Sequence, residues 1–276
     1  MDLSALSPQQ VVTYLERLGY QGSLHPTPET LRRLQNSHLL AVPFENLDIH
    51  IGRAISIEPQ HLFHKIVLQR RGGFCYELNG LLAELLMALG FQVDRLSAQV
   101  NRPDGRLGPA FDHLVLLVHL EHPWLVDVGF GDSFRDPLRL VADCPQSSYR
   151  LTCQHNHWRV EQSQPNGDWK SQFVFDLDPH PLSDFAAMCQ FHQTSPESLF
   201  PKMPLCSIAT PTGRVTLSKQ KLIMTLDSTN RTEKGSEKKV MTLTRSDYAT
   251  ALATYFGVKL ADREVERLWG SLMVTS

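Results

Sequence analysis

The sequence predicts an α+β protein built from three consecutive segments. Two observations carry that prediction. Apolar residues recur at helical spacing as far as Gly90 and then give way to short β-prone runs separated by Pro, Gly, Asn and Asp clusters. From about residue 206, strand-like runs are followed by two capped helical patterns. A length of 276 residues fits about two domains, or three that share a core.

In the first segment, Ser7 is an N-cap with Pro8 at the first helical position, and Val11, Leu15 and Leu18 follow before Gly19. Thr27 and Pro28 repeat the signal ahead of Leu31, Leu34 and a run to Val42. A third helix is predicted near Pro59, carrying Leu62, Phe63, Ile66 and Val67. The fourth has one apolar stripe, Leu78, Leu81, Leu82, Leu85, Leu86 and Leu89, with Gly90 as a left-handed cap. Strands are then predicted over residues 91–96, 114–120, 124–128, 149–153, 157–161 and 169–175, with Asn166-Gly167-Asp168 as a tight turn. Their spacing reads as an antiparallel sheet or small barrel. In the last segment, strands are expected near 215–217, 221–226 and 240–243, with an exposed polar loop over 228–239. Ser246 is the expected N-cap of a helix ending at Phe256 before Gly257, and Asp262 opens a last helix through Trp269.

Composition narrows the function. Lys plus Arg number 27 against 29 Asp plus Glu, the net charge is -2, and 42% of residues are hydrophobic. These values argue against a disordered chain and against a nucleic-acid binder held by counterion release. No apolar run approaches the roughly 18 residues of a membrane span. The N-terminus lacks a basic stretch before an apolar core, so no secretory signal is expected. Five cysteines without a C-x-x-C pair point to reduced thiols and a cytoplasmic setting.

The most unusual local sequence is Arg71-Gly72-Gly73-Phe74-Cys75-Tyr76-Glu77-Leu78-Asn79. It sets Cys75 at the start of the leucine-striped helix, after two glycines expected to permit unusual backbone angles. The partial positive charge of a helix start suits a nucleophilic sulfur, although a small buried cysteine fits the same pattern. A sulfur nucleophile needs a proton acceptor. His113 enters the buried strand Leu114 to Val118 and is the best candidate, with a satisfied strand-end histidine as the alternative. Asp127 lies within the apolar run Trp124 to Val128, where an unpaired carboxylate would cost several kcal/mol as an order of magnitude. An imidazolium on the neighbouring strand would satisfy it, which is the orienting role in a catalytic triad. A structural Asp before a glycine turn is the other reading.

These motifs, together with Asp127-Val128-Gly129-Phe130-Gly131 and the upstream Val42-Pro43-Phe44-Glu45-Asn46-Leu47, resemble the arylamine N-acetyltransferases of bacterial type over nearly the whole chain. The resemblance implies a helical bundle over 1–90, a β-barrel over 91–205 and an α/β lid over 206–276, with a triad arranged as in cysteine proteases. It implies Cys75 as the acyl-accepting nucleophile, His113 as its base and Asp127 as the orienter. Phe44, Val100, Phe130 and Phe200 match apolar positions lining the acceptor pocket, and Gly131 matches a glycine close to the thioester of acetyl-coenzyme A, the implied co-substrate. The implied activity is acetyl transfer to an arylamine or arylhydrazine by a ping-pong route. Neither a nucleic acid nor a membrane is implied as a partner.

Two features depart from the family pattern. Asp112 precedes the histidine where a neutral polar residue is more usual, and its charge is expected to favour the imidazolium of His113. The stretch Thr210 to Ser276 matches loosely, so no coenzyme A contacts are assigned there. The pairs His61 with His64, His119 with His122 and His155 with His157 lack further ligands at recognisable spacing, so no metal site is expected. Gly129-x-Gly131 is too short for a dinucleotide fingerprint. The pairs Arg32-Arg33 and Arg70-Arg71 read as solvated or ion-paired charges on helix faces. A thiol hydrolase of the peptidase or transglutaminase kind shares the order Cys, His, Asp, and a non-catalytic protein that retains the pocket is the reading from a different class.

Overall fold

The computed structural model of the protein describes residues 6–226 and 237–274. The helices α1 (Pro8–Leu18) and α2 (Pro28–Ala41) begin at their predicted caps. Ser7 and Gln10 bond reciprocally at 3.3 and 2.9 Å, and Gly19 closes α1 at φ 61°. Next come two elements that periodicity did not reveal, a two-residue strand β1 (Phe44–Glu45) and a short helix α3 (Leu47–Ile51). The helix α4 (Pro59–Phe63) continues as a single π-helical stretch, His64–Leu68. The helix α5 (Cys75–Ala88) is central.

Every residue of α5 from Cys75 to Leu86 is buried, so it is enclosed on all sides and not amphipathic with one stripe. Its polar positions escape the apolar pattern because each has a partner in the core. Glu77 meets Lys65 at 2.7 Å, Glu84 meets Arg95 at 2.6 Å, and Asn79 meets Asp127 at 2.8 Å.

An eight-stranded antiparallel sheet follows. It contains β2 (Gln92–Val100), β3 (His113–His119), β4 (Pro123–Val126), β5 (Leu138–Arg139), β6 (Cys144–Gln146), β7 (Tyr149–Gln154), β8 (His157–Ser163) and β9 (Trp169–Pro179). The strand order is β5-β4-β3-β2-β9-β8-β7-β6, and the Gln146 side chain bonds the N–H and C=O of Arg139 at 2.7 and 2.8 Å. The two edge strands therefore meet, and the sheet is a nearly closed barrel. The short edge strands β5 and β6 lack a periodic signal. The β8–β9 turn uses Gly167 at φ 90°, as Asn166-Gly167-Asp168 predicts.

The strand β3 forms the wall between two cores. Leu114, Leu116 and Val118 pack with the helices, whereas Val115 and Leu117 face the barrel interior. This two-sided burial explains the continuous apolar run after His113. Beyond the barrel, α6 (Ala186–Thr194) leads to a second antiparallel sheet of β10 (Leu205–Thr210), β11 (Gly213–Ser218), β12 (Lys221–Leu226) and β13 (Glu237–Thr242). Residues 228–236 of the predicted polar loop lie outside the described residues, and 237–239 belong to β13. The helix α7 (Arg245–Phe256) is capped by Thr244, not Ser246, because Thr244 and Asp247 complete a capping box that Ser246 cannot form. The helix α8 (Asp262–Val274) opens at the expected residue.

The last sheet is tied to the first segment. The strand β1 pairs with β10, Phe44 opposite Ser207 and Glu45 opposite Cys206, and Leu47 and Ile51 lie in the same core as Leu217, Leu252 and Leu268. No helix among the described residues is long and apolar enough to cross a membrane.

Ahead of α5, charges are buried as a network. Arg71, 2% exposed, holds Glu45 through two bonds of 2.8 and 3.0 Å and Asp48 at 2.8 Å. Lys65 bridges Asp48 at 2.8 Å and Glu77 at 2.7 Å. Burial opposes ionisation of Asp48, but the charges of Lys65 and Arg71 hold its carboxyl below the ordinary value. Burial pushes Glu77 up to about 7 despite Lys65. Arg71 is thus ion-paired, as one of the two readings had it, but in the buried loop before Cys75 and not on a helix face, where it fastens β1 and α3. Arg71→Leu leaves Glu45 buried without its partner and Asp48 with Lys65 as its close partner, and is expected to lower stability by about 3–5 kcal/mol. Urea unfolding monitored by circular dichroism measures this, and a change under 1 kcal/mol would show the network to be dispensable.

Candidate active site

Cys75 is the first residue of α5 and is 3% exposed. The glycines before it serve close approach, not unusual backbone angles. A Cβ on Gly72 would fall 2.0 Å from the Pro43 carbonyl oxygen, one on Gly73 would fall 2.6 Å from Glu77 Oε2, and neither has a positive φ. Glu77 Oε2 accepts the Phe74 N–H at 3.2 Å, which satisfies a donor at the helix start.

His113 opens β3 and is 2% exposed. Its Nε2 lies 2.8 Å from Asp127 Oδ2, and it lines the same cavity as Cys75. Burial alone would lower its pKa, but the charge and hydrogen bond of Asp127, with a contribution from Cys75, push His113 up to about 10. The approach of the backbone to His113 is braced. Phe111 is left-handed at φ 63°, its carbonyl and that of Asp112 accept the Tyr76 hydroxyl at 2.7 and 3.1 Å, and its N–H donates to Ser97 Oγ at 2.8 Å.

Asp127 follows β4. Its Oδ1 accepts the Asn79 amide and the Gly129 N–H, each at 2.8 Å, while its own N–H donates to Gln35 Oε1 at 3.3 Å. Asn79 also donates to the Leu114 carbonyl at 2.7 Å and accepts the Val128 N–H at 2.9 Å. One amide side chain thereby locks α5 to the strands that supply both His113 and Asp127. Gly129 is required by closeness, since a Cβ there would lie 2.6 Å from Cys75 Cα.

Cys75 and His113 line a cavity of about 350 Å³, with Asp127 behind the imidazole. Phe44, Val100, Phe130 and Phe200 line the same cavity, together with Arg102, Asp112, His192, Ser198 and Met203. Phe130 stands edge-on to His113 at 5.3 Å, and Phe44 and Phe200 approach within 6.3 Å. Gly131, at φ 90°, lies beneath the Phe44 ring. Asp127 and Cys75 lead in raising the His113 pKa, and the Asp112 carboxylate lies 3.2 Å from His192 Nε2.

No group of three potential metal ligands occurs among the described residues. His119 pairs with Asp94 at 2.6 Å. The other two buried cysteines have no imidazole partner, and burial pushes Cys189 up to about 12 and Cys206 well above the ordinary thiol value.

The profile of the N-acetyltransferase family matches residues 27–265. The chain belongs to this family. It is 36% identical over 225 residues to the pineal gland isozyme of arylamine N-acetyltransferase from Gallus gallus, covering 72% of this chain and 78% of that protein. It is 33% identical over 260 residues to the arylamine N-acetyltransferase of Mycolicibacterium smegmatis, covering 90% and 92%. The solved structure of the Mycobacterium marinum arylamine N-acetyltransferase in complex with CoA superposes with a TM-score of 0.84 at 30% identity, over 95% of this chain and 98% of that one. The protein is an acyltransferase of this family.

Asn79, Tyr76, Gln35 and His192 escaped the sequence reading. Asn79 carries a signal in hindsight, because it lies one helical turn after Cys75 on the same face. The others take their places only through long-range contacts.

Two outcomes follow from this geometry. Asn79→Ala strands the Leu114 carbonyl and the Val128 N–H, so a loss of about 2–4 kcal/mol in urea unfolding is expected, with reduced turnover as the imidazole loses its alignment. Wild-type values for both would remove Asn79 from the site. The raised pKa of His113 also makes stability depend on pH. Its contribution is full below about 6.5, the unfolded value, and is lost as pH rises toward about 10. The stability difference between the wild type and His113→Gln should therefore shrink across that window in unfolding titrations, and a constant difference would contradict the ion pair.

Proposed function

We propose that the protein transfers acetyl from acetyl-coenzyme A to arylamines and arylhydrazines by a ping-pong route through acetyl-Cys75. The convergence of Cys75 and a buried His113–Asp127 pair on one largely apolar cavity carries this reading. In it His113 takes the thiol proton, and the sulfur attacks the thioester carbonyl. His113 returns that proton to the departing sulfur, so coenzyme A leaves as its thiol and the imidazole is neutral again. The amine then attacks the acetyl-cysteine, His113 accepts its proton, and the Cys75 sulfur is released. Asp127 keeps the imidazole oriented and balances its charge.

The phenylalanines supply flat apolar walls for an aromatic ring, and anilines and hydrazides are neutral nucleophiles at neutral pH where most alkylamines are protonated. We assign Gly131 to the thioester end of the site, where its left-handed backbone leaves room beside Phe44. The complex of the Mycobacterium marinum relative with CoA supports the choice of acyl donor. A cytoplasmic setting is in keeping with five free cysteines.

Mass spectrometry after mixing with acetyl-coenzyme A tests the mechanism. A gain of one acetyl group on Cys75 is expected, removed by adding an aniline, with no gain and at least a thousandfold lower turnover in Cys75→Ser. Thioester hydrolysis unaffected by added amine would favour the hydrolase. No covalent adduct and no turnover would favour a binding protein.

A further inference from the structure

His192, on α6, and Asp112 line the cavity that contains Cys75 yet stand outside the triad. His192 Nε2 is 3.2 Å from Asp112 Oδ1 without the alignment of a hydrogen bond, and it is buried with no other partner. Both groups are held in place. His192 Nδ1 is bonded to Ser198 Oγ at 3.0 Å, and that oxygen also accepts the Phe200 N–H at 3.2 Å. The imidazole stacks on Tyr76 with 28° between planes and stands edge-on to Phe200 at 5.1 Å. Asp112 is fixed through its carbonyl by Tyr76, and its carboxylate fits only over a glycine, because a Cβ on Gly108 would fall 2.1 Å from Oδ2. A prearranged, incompletely bonded polar pair in a largely apolar pocket is the usual means of orienting a ligand.

Resting on the acetyl-transfer reading above, we propose that Asp112 and His192 form a polar subsite selecting acceptor amines that carry a hydrogen-bond donor, such as a hydroxyl or second amino group, elsewhere on the ring. An ionised carboxylate only accepts hydrogen bonds, so it favours such donors and repels ring carboxylates. Arg102 does not reverse this preference. Its guanidinium is 3.8 Å from Asp112 and one-third exposed, so its charge is directed at Asp112 and screened by water. A ring donor placed between Asp112 and Nε2 gives that nitrogen and the carboxylate a common partner.

The test compares 4-hydroxyaniline with 4-methoxyaniline, whose rings are electronically similar but only the first of which donates a hydrogen bond. In the wild type, kcat/KM at equal neutral amine is expected to be about tenfold higher for the hydroxyl compound. The ratio should fall at least threefold in His192→Phe, which keeps the stacked ring without its nitrogens, and in Asp112→Asn, which removes the charge. A wild-type ratio near one, with acetyl-Cys75 formed and both anilines turned over, overturns the subsite but leaves acetyl transfer intact. A large ratio that persists in both variants overturns it as well. If one variant fails to fold, the other together with the wild-type ratio still decides. Absence of acetyl-Cys75 with every amine would instead overturn the underlying reaction.

Discussion

The active-site geometry depends on the burial of one carboxylate. Asp127 is 2% exposed, and an unpaired charge there would be unsustainable in an apolar surrounding. Its oxygens receive donors from three places: the His113 imidazole on β3, the Asn79 amide on α5 and the Gly129 N–H of its own loop. Satisfying one group therefore brings together the central helix and two barrel strands. The same contacts that make the fold unique align the imidazole toward Cys75, so structural and chemical demands coincide at this point.

A second buried electrostatic constraint works from the other side of Cys75. Arg71, Glu45, Asp48, Lys65 and Glu77 pair with one another beside the loop before Cys75. Glu45 is also a residue of β1, which carries the pairing to β10. The last sheet is thereby coupled to the loop before Cys75 by backbone hydrogen bonds and by a bidentate ion pair. Buried pairs of this kind contribute modest net stability, but they penalise any arrangement in which the partners separate. That penalty gives the segment from Pro43 to Ile51 a single position even though its own helical and strand elements are too short to form alone.

The cavity combines two kinds of wall. Phe44 comes from the first segment and Val100, Phe130 and Phe200 from separate parts of the second, and they supply apolar surface. Asp112 and His192 interrupt it with polar atoms whose positions are set by Tyr76, Ser198 and the absence of a side chain at Gly108. Tyr76 contributes to both the triad and the cavity. Its hydroxyl braces the left-handed Phe111 ahead of His113, and its ring supports His192. A small change at Tyr76 would thus reach the imidazole alignment and the cavity wall at once.

By itself the sequence determined the helix starts at Ser7 and Thr27, the switch from helical to strand periodicity after Gly90, and the pairing demand of an acidic residue inside Trp124 to Val128. Those are local signals, set by caps, turn residues and the cost of burying charge, and they are legible wherever the responsible residues are neighbours in sequence. The Cys75, His113 and Asp127 motifs were legible for the same reason. Tertiary structure decided what depends on distant partners. It enclosed α5 on every side, where periodicity suggested a stripe, because Lys65, Arg95 and Asp127 satisfy its polar positions. It decided for Arg71 between the solvated and ion-paired readings by burying it among Glu45 and Asp48, and it set the Asp112 carboxylate 3.2 Å from His192. It also created β1, a two-residue strand with no periodicity to read, since two residues become a strand only when β10 supplies the missing hydrogen-bond partners.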